Sequence, residues 1–165
     1  MLCYYGKAAR LGDLTKAEYE QAMDGLGWST LGDAIAKKDA LLPASVDADL
    51  FMEVYAYVHS SLCPGQRARN APIEEAIPIL EEMFSSHPNP PGAAHGLSFV
   101  AFLRDYTGSR VITRDQWNLF LEFAQLAAPD LSNFTPDGID DGSWPSLIDE
   151  YVAHARHARQ QSPKP

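Results

Sequence analysis

The stretch "ITRDQWNLFLEFAQLAA", residues 112–128, decides the fold class. Thr113 and Gln116 spell a capping box, in which the two side chains satisfy backbone N–H groups that a helix start leaves unpaired. On a helical wheel Trp117, Phe120, Leu121 and Ala124 share one face, while Leu119, Phe123 and Leu126 cover much of the opposite one. Only Asn118, Glu122 and Gln125 leave a narrow polar stripe. A helix that is apolar almost all round must be enclosed by others, so this segment predicts the central helix of an all-α domain.

Working outward, the same period recurs. After a loop, Pro145 starts a final helix in which Leu147, Ile148, Tyr151, Val152 and Ala155 line one face. Upstream, "LSFVAFLRDY" reads as a short apolar helix, and "SSHPNPPGAAHG", residues 85–96, as the surface loop before it. Asn70 and Pro72 predict the cap and first turn of a helix carrying Ile73, Ile77, Leu80 and Phe84, with Pro78 imposing a kink or a late start. Ser45 or Asp47 opens a longer helix through Leu50, Phe51, Val54, Tyr55 and Val58, which "CPG" at 63–65 ends. A helix through "TLGDAIAKKDALL" runs until Pro43, and the Thr15/Glu18 capping box opens another that Gly25 and Gly27 stop. Alternation of period two is confined to a tiny strand at Val111-Ile112.

At 165 residues the chain predicts one domain that buries roughly two thirds of its unfolded surface. A formal charge of −9 argues against a phosphate-backbone partner and for neutral or basic ones. Two cysteines, Cys3 and Cys63, make no disulfide framework, so a reducing intracellular compartment is expected. The start lacks the pattern of a secretory signal, no apolar run approaches the ~20 residues a membrane span needs, and the tail "QQSPKP" is expected to fray.

Motifs of catalysis are few. No phosphate-cradling glycine loop, no G-x-S-x-G, no H-E-x-x-H and no C-x-x-C occurs. His59 and Cys63, at i,i+4, read either as a nucleophile–base pair or as a structural cysteine at a helix end. His154 and His157, at i,i+3, lack a third ligand of matching spacing and suit a solvated helix end. "DGIDDGSWPSLI" superficially follows a calcium loop from Asp137, but Ile139 and Ile148 stand where the third and twelfth ligands belong. Neither a metal nor a cofactor is expected.

Asp115 and Asp149 are different. Each falls in the first turn or so of a predicted helix, where a carboxylate complements the helix dipole. Neither has a cation at i+3 or i+4: the neighbours are Asn118 and Leu119 for one, Val152 and Ala153 for the other. Glu150, in contrast, has His154 at i+4. Two carboxylates without local partners beside apolar surface suit a lysine or arginine from another protein.

The blocks "ITRDQWNLFLEFAQ", "DLSNF" and "GSWPSLIDEYVAHAR", in that order, closely resemble the C-terminal part of the defective-in-cullin-neddylation family, whose domain is called the potentiating-neddylation domain. The likeness is strong over residues 111–156 and continues more faintly through "TKAEYEQAMDGLG", "VYAYV" and "PGQ" at 64–66. It implies EF-hand-like helix pairs that need no calcium, in one domain over residues 1–158 with a disordered tail at 159–165. It also implies a scaffold-type ligase that forms no thioester of its own and acts in the cytoplasm and nucleus. Such a scaffold promotes transfer of a ubiquitin-like modifier from the neddylation conjugating enzyme to a cullin. Its alternative is a helical adaptor that binds cullin without promoting transfer.

By the resemblance, the cullin's winged-helix domain is met by Asp115 of R-D-x-W-N, Ser143 before W-P, and Asp149 of L-I-D. Ser143 replaces the family's alanine, and the connection "FTPDGIDDGS" looks longer than usual. The conjugating enzyme's acetylated N-terminal methionine is expected in a pocket of Leu11, Leu14, Ile79 and Met83. The family's first helices, and any ubiquitin-binding module before them, would precede residue 1.

Overall fold

A computed structural model describes residues 2–37, 47–63, 69–134 and 144–161. The chain opens with a single turn, α1 (Leu2–Tyr5), followed by α2 (Lys16–Gly25) and α3 (Leu31–Ala36). Capping boxes open both of the latter, Thr15 with Glu18 and Thr30 with Asp33. α2 stops as its glycines predict. Gly27 takes φ +64°, which lets Trp28 N–H reach the Met23 carbonyl at 2.8 Å and Gly27 N–H reach that of Asp24 at 3.0 Å. The side chains of Trp28 and Met23 are buried.

The body of the domain is two helix–strand–helix units. The first is α4 (Ala48–Leu62), β1 (Asn70–Pro72) and α5 (Ile73–Ser86). The second is α6 (Ala93–Asp105), β2 (Val111–Thr113) and α7 (Arg114–Leu126), after which α8 (Ser146–Gln161) closes the fold. β1 and β2 pair antiparallel, with Ala71 opposite Ile112. Those two side chains are fully buried, so the short ribbon is also part of the core. This is the EF-hand-like pairing of an all-helical domain, with the strands joining the two units.

The core is aromatic. Phe99 stacks on Phe120 with ring centroids 3.6 Å apart, and Tyr151 meets Phe99, Phe102, Phe120 and Phe123 edge-on. Trp117, on the central helix, is clasped to α4 by a reciprocal pair of bonds. Its indole N–H donates to the Tyr55 carbonyl and the Tyr55 hydroxyl donates to the Trp117 carbonyl, both at 2.9 Å.

Four local expectations are corrected by packing. Asn70 caps no helix, because residues 70–72 pair with β2, and Pro72 precedes α5 without a side-chain cap. Pro78 imposes no late start on α5, which begins at Ile73 and runs through it. The loop read at 85–96 shrinks to 87–92, since α6 begins at Ala93 and buries His95 and Gly96. Leu126 is exposed, although its spacing predicts burial. α3 ends at Ala36 with Lys37 as its C-cap, and the rest of the helix expected up to Pro43 lies outside the described residues, as does Ser45. Asp47 performs the capping of α4, accepting from Leu50 N–H at 2.8 Å. α8 runs through Gln161.

Gly96 shows how tightly α5 and α6 approach. A Cβ there would stand 2.3 Å from the Phe84 ring. Gly96→Ala is therefore expected to cost about 1–3 kcal/mol through overpacking. That lowers the melting temperature by roughly 2–12 °C in a scanning calorimeter. An unchanged melting point would show that the ring yields freely.

Candidate functional site

The two carboxylates stand where two well-anchored helices begin. β2 delivers the chain to Thr113, whose hydroxyl accepts from Gln116 N–H at 3.2 Å while the Gln116 side chain accepts from Thr113 N–H at 2.9 Å. Asp115 lies in that first turn, exposed, two residues before the fully buried Trp117. Asp149 occupies the first turn of α8, exposed between buried Ile148 and buried Tyr151. α7 and α8 pack on each other through Phe120, Phe123 and Tyr151. Among the described residues neither carboxylate has an ion-pair or hydrogen-bond partner. Both are rigidly based and electrostatically unsatisfied, apart from their helix dipoles.

Glu150, beside Asp149, accepts from the Tyr106 hydroxyl at 3.5 Å, while His154 packs on the Phe102 ring. Ser143, the third residue of the expected patch, lies outside the described residues, as does most of the loop before it. So do residues 137–143 of the calcium-like stretch. Trp144, next in line, packs edge-on against Phe123 with its indole Nε1 buried and unpaired among the described residues.

Spacing alone does not single out Arg156, which organises the connection between the two helices. Its guanidinium donates to the Leu131 carbonyl at 2.9 Å and to that of Phe134, and lies 5.7 Å above the Phe134 ring. Arg159 likewise donates to the Pro129 carbonyl. Asn133 closes the same turn, accepting from Ala128 N–H at 2.7 Å and donating to the Leu126 carbonyl at 3.0 Å. A buried Phe beside a run of carbonyls on a turn was the available signal, and its partner is visible only in three dimensions.

The four residues of the expected methionine pocket come from two parts of the chain, the segment before α2 and helix α5. Leu11, Ile79 and Met83 are half-buried against the core, and Leu14 is half-buried near Gly6. α1 and the turn after it reach α4 through Tyr57, whose hydroxyl donates to the Ala8 carbonyl at 2.7 Å and contacts the Cys3 carbonyl at 2.9 Å.

His59 and Cys63 are close, with Sγ 3.9 Å from Nδ1, but their electrostatics oppose nucleophilic chemistry. Burial pushes the Cys63 thiol up, against a small opposing pull from Arg114, where an attacking thiolate needs a lowered value. The His59 ring is buried, its Nε2 donating to the Ile112 carbonyl at 3.2 Å. Among the described residues no group of three or more His, Cys, Asp or Glu is placed to hold a metal ion. No helix there is long and apolar enough to cross a membrane.

The second buried histidine, His95, ties three elements together. Nε2–H donates to the Ala128 carbonyl at 3.1 Å, which leaves Nδ1 to accept from the Tyr151 hydroxyl at 3.0 Å. Burial depresses the pKa of both histidines. The unfolded chain therefore takes up protons near pH 6.5 that the folded chain still refuses. Their contribution is complete above about pH 6.5 and is lost as the pH falls toward the folded values. Thermal melts are expected to be flat from pH 7 to 8 and to fall below 6.5, with a slope of up to ~1.4 kcal/mol per pH unit for each histidine. A flat profile down to pH 5 would contradict the buried neutral rings.

Comparison with known proteins agrees with this architecture. A family model described as cullin binding matches residues 33–154. The human DCN1-like protein 3 is 28% identical over 162 residues, covering 98% of this chain and 51% of the relative. The Drosophila melanogaster DCN1-like protein 4 is 27% identical over 162 residues, covering 98% of this chain and 60% of the relative. The chain thus spans about half the length of the DCN1-like protein 3 relatives it matches. With the family model covering most of its length, and with helix pairs and terminal-helix motifs in the expected order, the chain belongs to the cullin-binding, defective-in-cullin-neddylation family.

Proposed function

We propose that the chain is a non-catalytic scaffold for cullin neddylation. It docks the cullin's winged-helix domain on Asp115, Asp149 and Ser143, and holds the neddylation conjugating enzyme by its acetylated N-terminal methionine. The observation that carries this reading is the pair of exposed carboxylates, unpaired among the described residues, on the first turns of two helices whose other faces are buried. Such groups are pre-organised for a basic partner, since little conformational freedom remains to be lost on binding. Acceleration follows from proximity: fixing the acceptor lysine beside the charged enzyme turns an encounter into an effectively intramolecular transfer. A scaffold of this kind needs no nucleophile of its own, which agrees with the raised thiol of Cys63.

The test is single-turnover transfer of the modifier from charged conjugating enzyme to a cullin, with and without the chain. A rate increase that Asp149→Arg removes supports the scaffold. Unchanged rates, with cullin binding intact, favour the adaptor instead. That second reading has one observation behind it: Leu11, Ile79 and Met83 already pack, half-buried, against the core.

A further inference from the structure

Two large apolar side chains are exposed on neighbouring helices, Met52 on α4 (44%) and Leu126 on α7 (53%). They flank one groove of about 470 Å³ between those helices. Its floor is Tyr55 and Leu121, both buried, and Ala56 and Glu122 line it further along. Gln125 donates from Nε2 to the Met52 sulfur at 3.3 Å across it, a weak bond that costs little to displace.

The charge of the walls is one-sided. α4 carries Asp49 and Glu53 and no lysine or arginine; α7 carries Asp115 and Glu122 against Arg114 alone, at its first position. His59, the other basic residue of the pair, is buried and facing Ile112. Glu53 is engaged by the Tyr4 hydroxyl, whereas Asp115 and Glu122 meet no donor among the described residues. These last two lie seven residues apart on one face of α7, about 10 Å along its axis. Asn118, which lines the groove, stands between them.

We propose that this groove is a docking site for a protein segment that places a leucine-sized apolar side chain over Tyr55 and Leu121, flanked by two basic residues reaching Asp115 and Glu122. Methionine at the rim suits such a role, since its flexible thioether adapts to the side chain it covers. In a polyproline-like extended chain, residues three apart are about 9 Å apart on the same face. This matches the spacing of the two carboxylates.

The experiment uses the full chain labelled with ¹³C at its methionine methyl groups, with the Met52 signal assigned by its loss in Met52→Leu. The probe is a tetrapeptide with blocked ends, arginine–proline–leucine–arginine, and the control replaces both arginines by glutamate. The Met52 methyl signal should move saturably with the arginine peptide and stay in place with the control. In Glu122→Gln the affinity for the arginine peptide should drop several-fold, with the methyl spectrum of the free protein otherwise retained. A Met52 signal that ignores the arginine peptide overturns the proposal. So does equal movement with both peptides, or equal affinity in Glu122→Gln, since each would leave only an apolar crevice. Asp115 is shared between this docking site and the proposed cullin surface, but the readout contains no cullin and the variant is at Glu122, which lines the groove, so failure here is distinguishable from failure of the scaffold reading.

Discussion

Asp149→Arg is expected to weaken binding of the chain to a cullin winged-helix domain by about a hundredfold or more, because a charge-assisted pair becomes a like-charge contact at the centre of the surface. The fold should barely notice. Asp149 is exposed and makes no bond among the described residues, and the substitution gives up only its favourable placement at the α8 N-terminus. The circular dichroism spectrum should therefore be retained, with a melting shift of no more than a few degrees. Asp115→Ala should give a smaller loss, since it removes an attraction without adding a repulsion. The combination that would discredit the assignment is full binding by a well-folded Asp149→Arg protein.

Trp117→Ala is expected to have the largest effect on the fold itself. The side chain is fully buried near the start of α7, against Tyr55 at a ring distance of 4.8 Å and His59 at 5.5 Å. Truncation costs about 3–5 kcal/mol in lost burial and a cavity. Against a typical total of ~5–15 kcal/mol, that removes a large part of the stability. The midpoint of urea unfolding should fall accordingly, whereas Tyr55→Phe, which loses one hydroxyl bond and little volume, should cost about 1 kcal/mol. Equal costs for the two would mean that the hydrogen-bonded clasp, and not the packing of the indole, holds α4 to α7.

The contrast between these positions explains what could be read before the structure. The capping boxes, the all-round apolar α7 and the buried stripe of α8 were legible because each is a local pattern of period 3.6 on a helix long enough to display it. Asn70 misled for the opposite reason. Whether residues 70–72 open a helix or pair as a strand depends on residues 111–113, some forty positions away. His95 and Gly96 look like loop residues after "HPNPPG", but Gly96 is needed for the close approach to Phe84 and His95 for its bonds to Tyr151 and Ala128.

The sequence singles out the two carboxylates by what they lack, a cation one turn away, and both Asp115 and Asp149 are exposed. The groove beside them was not. Glu122 and Gln125 look like an ordinary solvated stripe, and Leu126 like core, until α4 brings Met52 alongside. That is a tertiary fact, carried by the pairing of two helices that the chain separates by β1, α5, α6 and β2.

The central claim is a basic partner docked on the first turns of α7 and α8, and calorimetric titration of the intact chain with winged-helix domains from several cullins tests it most directly. Saturable one-to-one binding to at least one of them is expected, weakening as salt is raised because opposite charges meet at the surface. A folded chain that binds none of them at low salt would contradict it.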